Sequence, residues 1–295
     1  MPSRRSVLRA GLLLSVTGLL PNPGLAATTP LVGSGALRRI EATQGGRLGV
    51  AALDTATGSR IDHRADERFP LCSTFKFLAA AYVLTRVDAG EEALDRVLTY
   101  GRDDIVAHSP ATEPRLGTGM TIGALCEATM TLSDNTAANL LLASFGGPEG
   151  LTRYVRSLGD GVTRLDRIEP ALNEATPGDP RDTTSPAAML ATMERLLLGD
   201  ALSSTSRHML TNWLITNRTG DHRIRAGVPQ DWTVGDKTGG GAFGTTNDIA
   251  ILWPPGRAPI LLTVYLTETS ASADNRENTI AQVARTISRE VGPGH

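Results

Sequence analysis

From Phe75 to Leu84 the chain reads Phe-Lys-Phe-Leu-Ala-Ala-Ala-Tyr-Val-Leu. A helix of that composition has no side to turn toward water, so it belongs at the centre of a fold large enough to surround it. The 295 residues, 40% of them hydrophobic, suffice for such a core. The constraint also falls on Lys76, the one charge in the run. A buried ammonium must find partners or give up its proton. Ser73 lies three residues earlier, on the same helical face. A lysine with a depressed pKa can draw a proton from that hydroxyl, which makes a serine a nucleophile without a histidine. Taken alone the Ser-x-x-Lys spacing is weak, since ordinary composition yields about one match in a chain of this length. A capping serine and a lysine that snorkels to solvent then account for it more simply.

The formal net charge of −2 gives no reason to expect nucleic acid or an anionic membrane surface as a partner. Ser3-Arg4-Arg5-Ser6-Val7-Leu8 is a twin-arginine pattern, followed by an apolar stretch from Ala10 to Leu20 and by small residues at Gly24, Ala26 and Ala27. Residues 1–27 therefore read as an export signal, either of the twin-arginine type or a general secretory signal with incidental arginines. The apolar stretch is short for a permanent anchor. The expectation is a periplasmic or secreted monomer, free of the membrane after cleavage. Cys72 adjoins Ser73 and Cys126 precedes Ser133. An oxidising compartment permits a disulfide, but lining one cleft does not bring two thiols into bonding geometry. Both are expected free and buried. The two cysteines and five histidines show no ligand spacing, so neither a metal nor another cofactor is expected.

A helix is expected from Leu31 to Gln44, ended by Gly45-Gly46. Leu48 to Asp54 reads as a strand, with a turn at Thr57-Gly58 and a short partner from Arg60 to Arg64. Helical signals dominate from Pro70 to about Arg218, and Ser185-Pro186 is a capping serine with proline at the first helical position. Strand-like runs return at Thr233 to Gly235, Asp248 to Trp253 and Ile260 to Leu266, with Pro254-Pro255-Gly256 as a turn. Asn278 to Glu290 is an amphipathic helix. This order predicts an α/β (α+β) fold in one domain spanning 28–295. Both chain ends, about 28–69 and 219–295, contribute to one antiparallel sheet with the terminal helices on a face. An all-helical lobe, about 70–218, is inserted between them. The cleft between the lobes is the place for a site.

Three further stretches suit that cleft. Ser133-Asp134-Asn135 lies between helical segments. A loop serine relays a proton, and an asparagine orients a substrate amide with both donor and acceptor. Standing alone, the tripeptide reads as a polar turn or cap. Lys237-Thr238-Gly239 ends a strand-like run. On an ordinary strand the lysine and threonine are surface residues on alternate sides. At a cleft edge they hold a carboxylate by charge and hydroxyl. Gly239, Gly240 and Gly241 leave the backbone open to a ligand, and an N–H there, with that of Ser73, makes an oxyanion hole. Arg164 to Asn173, continued to Asp182, reads as a long structured loop in which Arg167 and Asp182 pair at the neck and Glu169 and Asn173 hold a water molecule. The competing reading of Glu169 is a solvated surface acid.

Taken together, Ser73-x-x-Lys76, Ser133-Asp134-Asn135, Glu169 and Lys237-Thr238-Gly239 resemble the active-site set of class A serine β-lactamases, penicillin-recognising serine hydrolases with the β-lactamase/transpeptidase-like fold. The resemblance includes Thr131 to Ala143, Arg164 to Asn173 and Val234 to Trp253, and it covers essentially the whole chain after residue 27. It implies that Ser73 attacks the β-lactam carbonyl, whose oxygen sits between the N–H groups of Ser73 and Gly240. Lys76, or Glu169 through a water, removes the hydroxyl proton. Ser133 passes a proton to the departing nitrogen. Glu169, helped by Asn173, activates the water that hydrolyses the acyl-enzyme. Lys237 and Thr238 bind the substrate carboxylate, with Gly239 behind them, and Asn135 binds the acylamide side chain.

Two departures modify that expectation. Many members carry an arginine shortly after the Lys-Thr-Gly element; this chain has Thr245-Thr246 there, and Arg223 in Asp221-His222-Arg223-Ile224-Arg225 is the implied replacement. A disulfide joining the cysteine before the nucleophile to one just after Lys-Thr-Gly, found in certain carbapenem-hydrolysing members, is impossible with Gly241 at the second position. His108 falls where the family places a ring at the pocket rim; an exposed loop histidine is the other reading. The alternatives in function are a D-alanyl-D-alanine peptidase, which lacks the Glu169 loop, and a β-lactam sensor that stays acylated.

Overall fold

The computed structural model describes residues 33–291. The expected export signal, and the Leu31-Val32 start of the first helix, lie outside the described residues. Helix α1 is Gly33–Gln44, and β1 (Arg47–Asp54) and β2 (Arg60–His63) form a hairpin. Strand β3 is only Phe69–Pro70, and the buried helix α2 is Phe75–Asp88. Then come β4 (Val97–Leu98), β5 (Met120–Thr121), α3 (Ile122–Thr131), α4 (Asn135–Ser144), α5 (Gly147–Ser157), β6 (Thr183–Thr184), α6 (Pro186–Leu197) and α7 (Ser204–Ile215). The chain ends with β7 (Thr233–Gly240), β8 (Thr246–Trp253), β9 (Ile260–Thr267) and α8 (Ala273–Glu290).

The sheet is antiparallel throughout, in the order β2-β1-β9-β8-β7, so strands from both ends of the chain interleave. Every residue of the central strand β9 is buried, because both faces of the sheet are covered. On one face Leu37 of α1 and Ile280, Val283, Ala284 and Ile287 of α8 meet Leu48, Val50, Leu262 and Val264. On the other, Ala51, Leu53, Ile251, Leu261 and Tyr265 join the core of the helical elements, around Phe75, Leu78, Met189 and Leu190. Helix α2 lies in that second core with Phe75 to Ala81, Val83 and Leu84 all buried, as an all-apolar run requires. Ser185 caps α6 through a bond accepted from Ala188 N, with Pro186 at the first helical position. Cys72 and Cys126 are free and buried.

Several boundaries differ from the sequence reading. Ser73 lies in a single 3₁₀ turn, Cys72–Thr74, that leads into α2 rather than in the helix itself. Strand β7 continues through Lys237-Thr238-Gly239 to Gly240, because its backbone pairs with β8 residue by residue to Thr246. Helix α8 starts at Ala273, not Asn278: Ser272 caps it, and its first turn is too polar to show an apolar period. The pairs β3–β6 and β4–β5 are two residues each, too short for any alternation to register.

Candidate active site

The 3₁₀ turn of Ser73 is wedged between α2 and the edge strand β7. Cys72 has φ of 43°, an unfavourable backbone for a residue with a side chain. The turn is fixed from outside: Leu71 N donates to Asp182 O at 2.8 Å. Its contact with β7 is tight, for a Cβ on Gly239 would stand 3.0 Å from Leu71 O and 3.3 Å from Ser73 N. Glycine at 239 is thus a condition of close approach. A Cβ on Gly240 would meet only Thr245 O, at 3.8 Å, so the strand end beyond is open. Gly241 faces Cys72, whose Sγ would be 2.7 Å from such a Cβ.

Lys76 is fully buried. Its Nζ donates to Asn135 Oδ1 at 2.6 Å, Ser133 O at 2.7 Å and Ser133 Oγ at 3.2 Å, and it pairs with Glu169 Oε1 at 3.0 Å. Every contact is an acceptor, which is the environment of an ammonium. Burial pulls its pKa below the usual lysine range while the Glu169 charge pushes back. The lysine does not take up Ser73 in this arrangement. Ser73 Oγ donates instead to Glu169 Oε1 at 3.2 Å.

Glu169 is 1% exposed, which overturns the solvated-acid reading. Its Oε2 accepts from Asn173 Nδ2 at 2.5 Å, and Asn173 Oδ1 is buried with no donor within reach. The loop that carries it is closed at the neck by Arg167 Nε on Asp182 Oδ2 at 2.6 Å. Asp182 also accepts from the N–H groups of Asp166 and Arg167. No motif or spacing in the sequence marks out Asn139. Its carboxamide grips the Glu169 backbone on both sides, accepting from N and donating to O at 2.9 Å each.

Ser133 has φ of 57° and sits between α3 and α4. Asp134 caps α4 through Ala137 N and also accepts from Ala111 N, Thr112 N and Thr112 Oγ1, so the buried carboxylate pins the neighbouring loop. Ser133 Oγ receives a second ammonium: Lys237 Nζ at 3.1 Å. Lys237 is fully buried, and burial together with the Lys76 charge brings its pKa down to about 7. Thr238 Oγ1 lies 2.5 Å from Thr219 Oγ1. Asn135 donates through Nδ2 to Ala107 O at 2.8 Å. His108 is exposed, with φ of 63° and its Nε2 3.0 Å from Leu132 O. Arg223 lies behind β7: Nη1 donates to Gly239 O at 2.9 Å and Asn247 O at 2.8 Å, and Nε to Glu277 at 3.2 Å.

A serine, two buried lysines on one loop hydroxyl, and a buried carboxylate in contact with the serine form an arrangement suited to serine acyl transfer. Comparison with known proteins narrows the class. The model of the β-lactamase enzyme family matches residues 34–291. The β-lactamase AST-1 of Nocardia asteroides is 48% identical over 90% of this chain and 86% of its own length. The β-lactamase OXY-2 of Klebsiella oxytoca is 46% identical over 94% and 96%. Among solved structures, an ancestral class A β-lactamase (GNCA) superposes with a TM-score of 0.86 at 64% identity, covering 87% of this chain and 99% of that one. The chain belongs to the β-lactamase family and has the class A fold.

Proposed function

We propose that this β-lactamase opens the ring of penicillins and cephalosporins through an acyl-enzyme on Ser73. Hydrolysis of that kind confers resistance to β-lactam antibiotics. The observation that carries the residue assignment is the Ser73 Oγ to Glu169 Oε1 hydrogen bond beside a Lys76 ammonium whose contacts are all acceptors. In that arrangement Glu169, not Lys76, is free to take the hydroxyl proton. Ser73 Oγ bonds to the ring carbonyl carbon, and the developing oxyanion is held by the N–H groups of Ser73 and Gly240. The C–N bond breaks, and the nitrogen takes a proton from Ser133, whose hydroxyl lies between Lys76 and Lys237; the proton Glu169 took from Ser73 passes through Lys76 to Ser133, which leaves Glu169 a carboxylate again. A water placed by Glu169 and the unpaired Asn173 Oδ1 then loses its proton to Glu169 and attacks the ester, which returns the proton to Ser73.

Lys237, Thr238 and Arg223 supply the positive charge and hydroxyl for the substrate carboxylate, with Asn135 and His108 toward its acylamide side. Residues 1–27 are read as an export signal and the working form as a periplasmic or secreted monomer. Among the described residues no helix is long and apolar enough to cross a membrane. The test is intact-protein mass after mixing with a penicillin, alongside loss of the β-lactam absorbance. Wild type is expected to turn over with little adduct at completion, and Ser73→Ala to form none. A wild type that stays acylated for hours would favour a sensor or a peptidase.

A further inference from the structure

Asn247 stands on β8 directly opposite Gly239 of β7. It is fully buried, where a carboxamide is costly unless it is hydrogen-bonded. Its Nδ2 donates to Pro70 O at 2.8 Å and to Leu71 O at 3.1 Å, the carbonyls just ahead of Cys72-Ser73. Turned the other way, the amide would set Oδ1 against those two oxygens, so its orientation follows from donor and acceptor chemistry. Oδ1 itself has no donor within reach. The side chain's hydrogen bonds therefore all go to the backbone that leads into the nucleophile turn. Its main-chain carbonyl meanwhile accepts from the Arg223 guanidinium that also holds Gly239 O.

The two oxyanion donors come from separate parts of the chain, Ser73 N–H from the turn and Gly240 N–H from the end of β7. The turn contains the strained Cys72 backbone and needs outside restraint. The Asn247 carboxamide reaches it from the strand next to β7, and a Cβ on Gly239 would stand 3.3 Å from its Nδ2.

We propose that Asn247 is a positioning residue of the oxyanion hole, tying the Pro70–Leu71 carbonyls to β8 and so setting the separation of the Ser73 and Gly240 N–H groups. The inference rests on the assignment of Ser73 and Gly240 made above. Asn247 touches no substrate atom in this scheme; it acts through backbone it holds in place. Displacing a reacting group by about 1 Å costs on the order of 100-fold in rate. The donors hold the neutral carbonyl oxygen more weakly than the oxyanion, so substrate affinity before reaction should change much less than the acylation rate.

The full-length wild type, Asn247→Asp and Asn247→Ala are compared at a temperature where thermal melts show each folded. Acylation by a chromogenic cephalosporin is followed in rapid-quench experiments, and affinity is measured for phenylboronic acid, which forms a tetrahedral adduct with a serine hydroxyl. The aspartate variant keeps the shape but turns an oxygen onto two carbonyls. It is expected to lose about 100-fold in acylation rate and a comparable factor in boronate affinity, with the pre-acylation dissociation constant within about threefold. The alanine variant lets water reach both carbonyls and is expected to lose about tenfold. A purely packing role predicts the opposite order, because alanine leaves a cavity that aspartate fills. An aspartate variant within threefold of wild type on both readouts, or better than alanine, overturns the proposal. If the aspartate variant does not fold, an alanine variant within twofold of wild type overturns it. A Ser73→Ala variant that still turns over the cephalosporin would overturn the nucleophile assignment, and this proposal with it, whatever the Asn247 variants do.

Discussion

Replacing Glu169 by glutamine removes one charge that three groups share. Oε1 accepts from Ser73 Oγ and pairs with Lys76 Nζ at 3.0 Å, while Oε2 accepts from Asn173 Nδ2. At 3.0 Å and an effective dielectric near 20, the Coulomb attraction between the ammonium and the carboxylate is about 5 kcal/mol. This attraction opposes the burial that otherwise drives Lys76 toward its neutral form. Without it, the Lys76 proton leaves at lower pH, and a neutral amine becomes available beside the same side-chain oxygen of residue 169 that Ser73 Oγ contacts. Acylation should therefore survive in Glu169→Gln, and its rate should rise with pH as Lys76 deprotonates. Deacylation has no such substitute. Its general base is gone, and it should fall by about 10² to 10⁴. The assay is rapid quench followed by intact mass, which reads the acylated fraction against time for wild type and variant across pH 5 to 9. A variant that never acylates would refute the idea that Lys76 takes over. A variant that turns over within tenfold of wild type would refute Glu169 as the deacylation base.

Four other outcomes are expected. Burial and the Lys76 charge bring Lys237 down to about 7, so kcat/KM for a carboxylate-bearing substrate should fall as pH rises above that value, and Lys237→Arg should move the limb to higher pH. The same lysine makes stability rise with pH between about 7 and its unfolded value of 10.5, because there the unfolded chain binds the additional proton; chemical denaturation at pH 7 and 9 reads that slope. Gly241→Cys places a thiol against Cys72 and should close a disulfide that stabilises the fold by about 2–4 kcal/mol, seen as the loss of two titratable thiols and a higher Tm. Arg167→Ala leaves the buried Asp182 carboxylate without its guanidinium, which should cost about 3–5 kcal/mol and slow deacylation more than acylation as the Glu169 loop loosens.

What could be read from the sequence was what repeats or clusters. The all-apolar run around Lys76 required a buried helix. Ser185-Pro186 marked a helix start, and alternation or continuous apolarity marked β1, β8 and β9. The family motifs carried the chemistry, and the Arg167–Asp182 neck was legible as opposite charges bracketing a loop. What escaped was decided by distant backbone. The extension of β7 through Gly240 depends on pairing with β8, not on its own side chains. The start of α8 depends on a Ser272 cap ahead of a polar turn. Asn139 and Asn247 are single polar residues whose importance comes from backbone groups far off in the chain, Glu169 and Pro70–Leu71. A lone asparagine has no spacing by which to be found.

The strand order has a consequence for when the enzyme comes into being. Strand β1 is made early but pairs along its whole length with β9, from Arg47 against Thr267 to Asp54 against Ile260. Ser73, Lys76, Ser133 and Glu169 all leave the ribosome before Lys237, Gly240 and Asn247 exist. On the assignment proposed above, the Ser73 hydroxyl is therefore present in the growing chain long before the edge that would complete its site. Long-range pairing of this kind forms late and slowly. A nascent or C-terminally truncated chain should hold the serine without the catalyst, so activity is an all-or-none report on completed synthesis and folding.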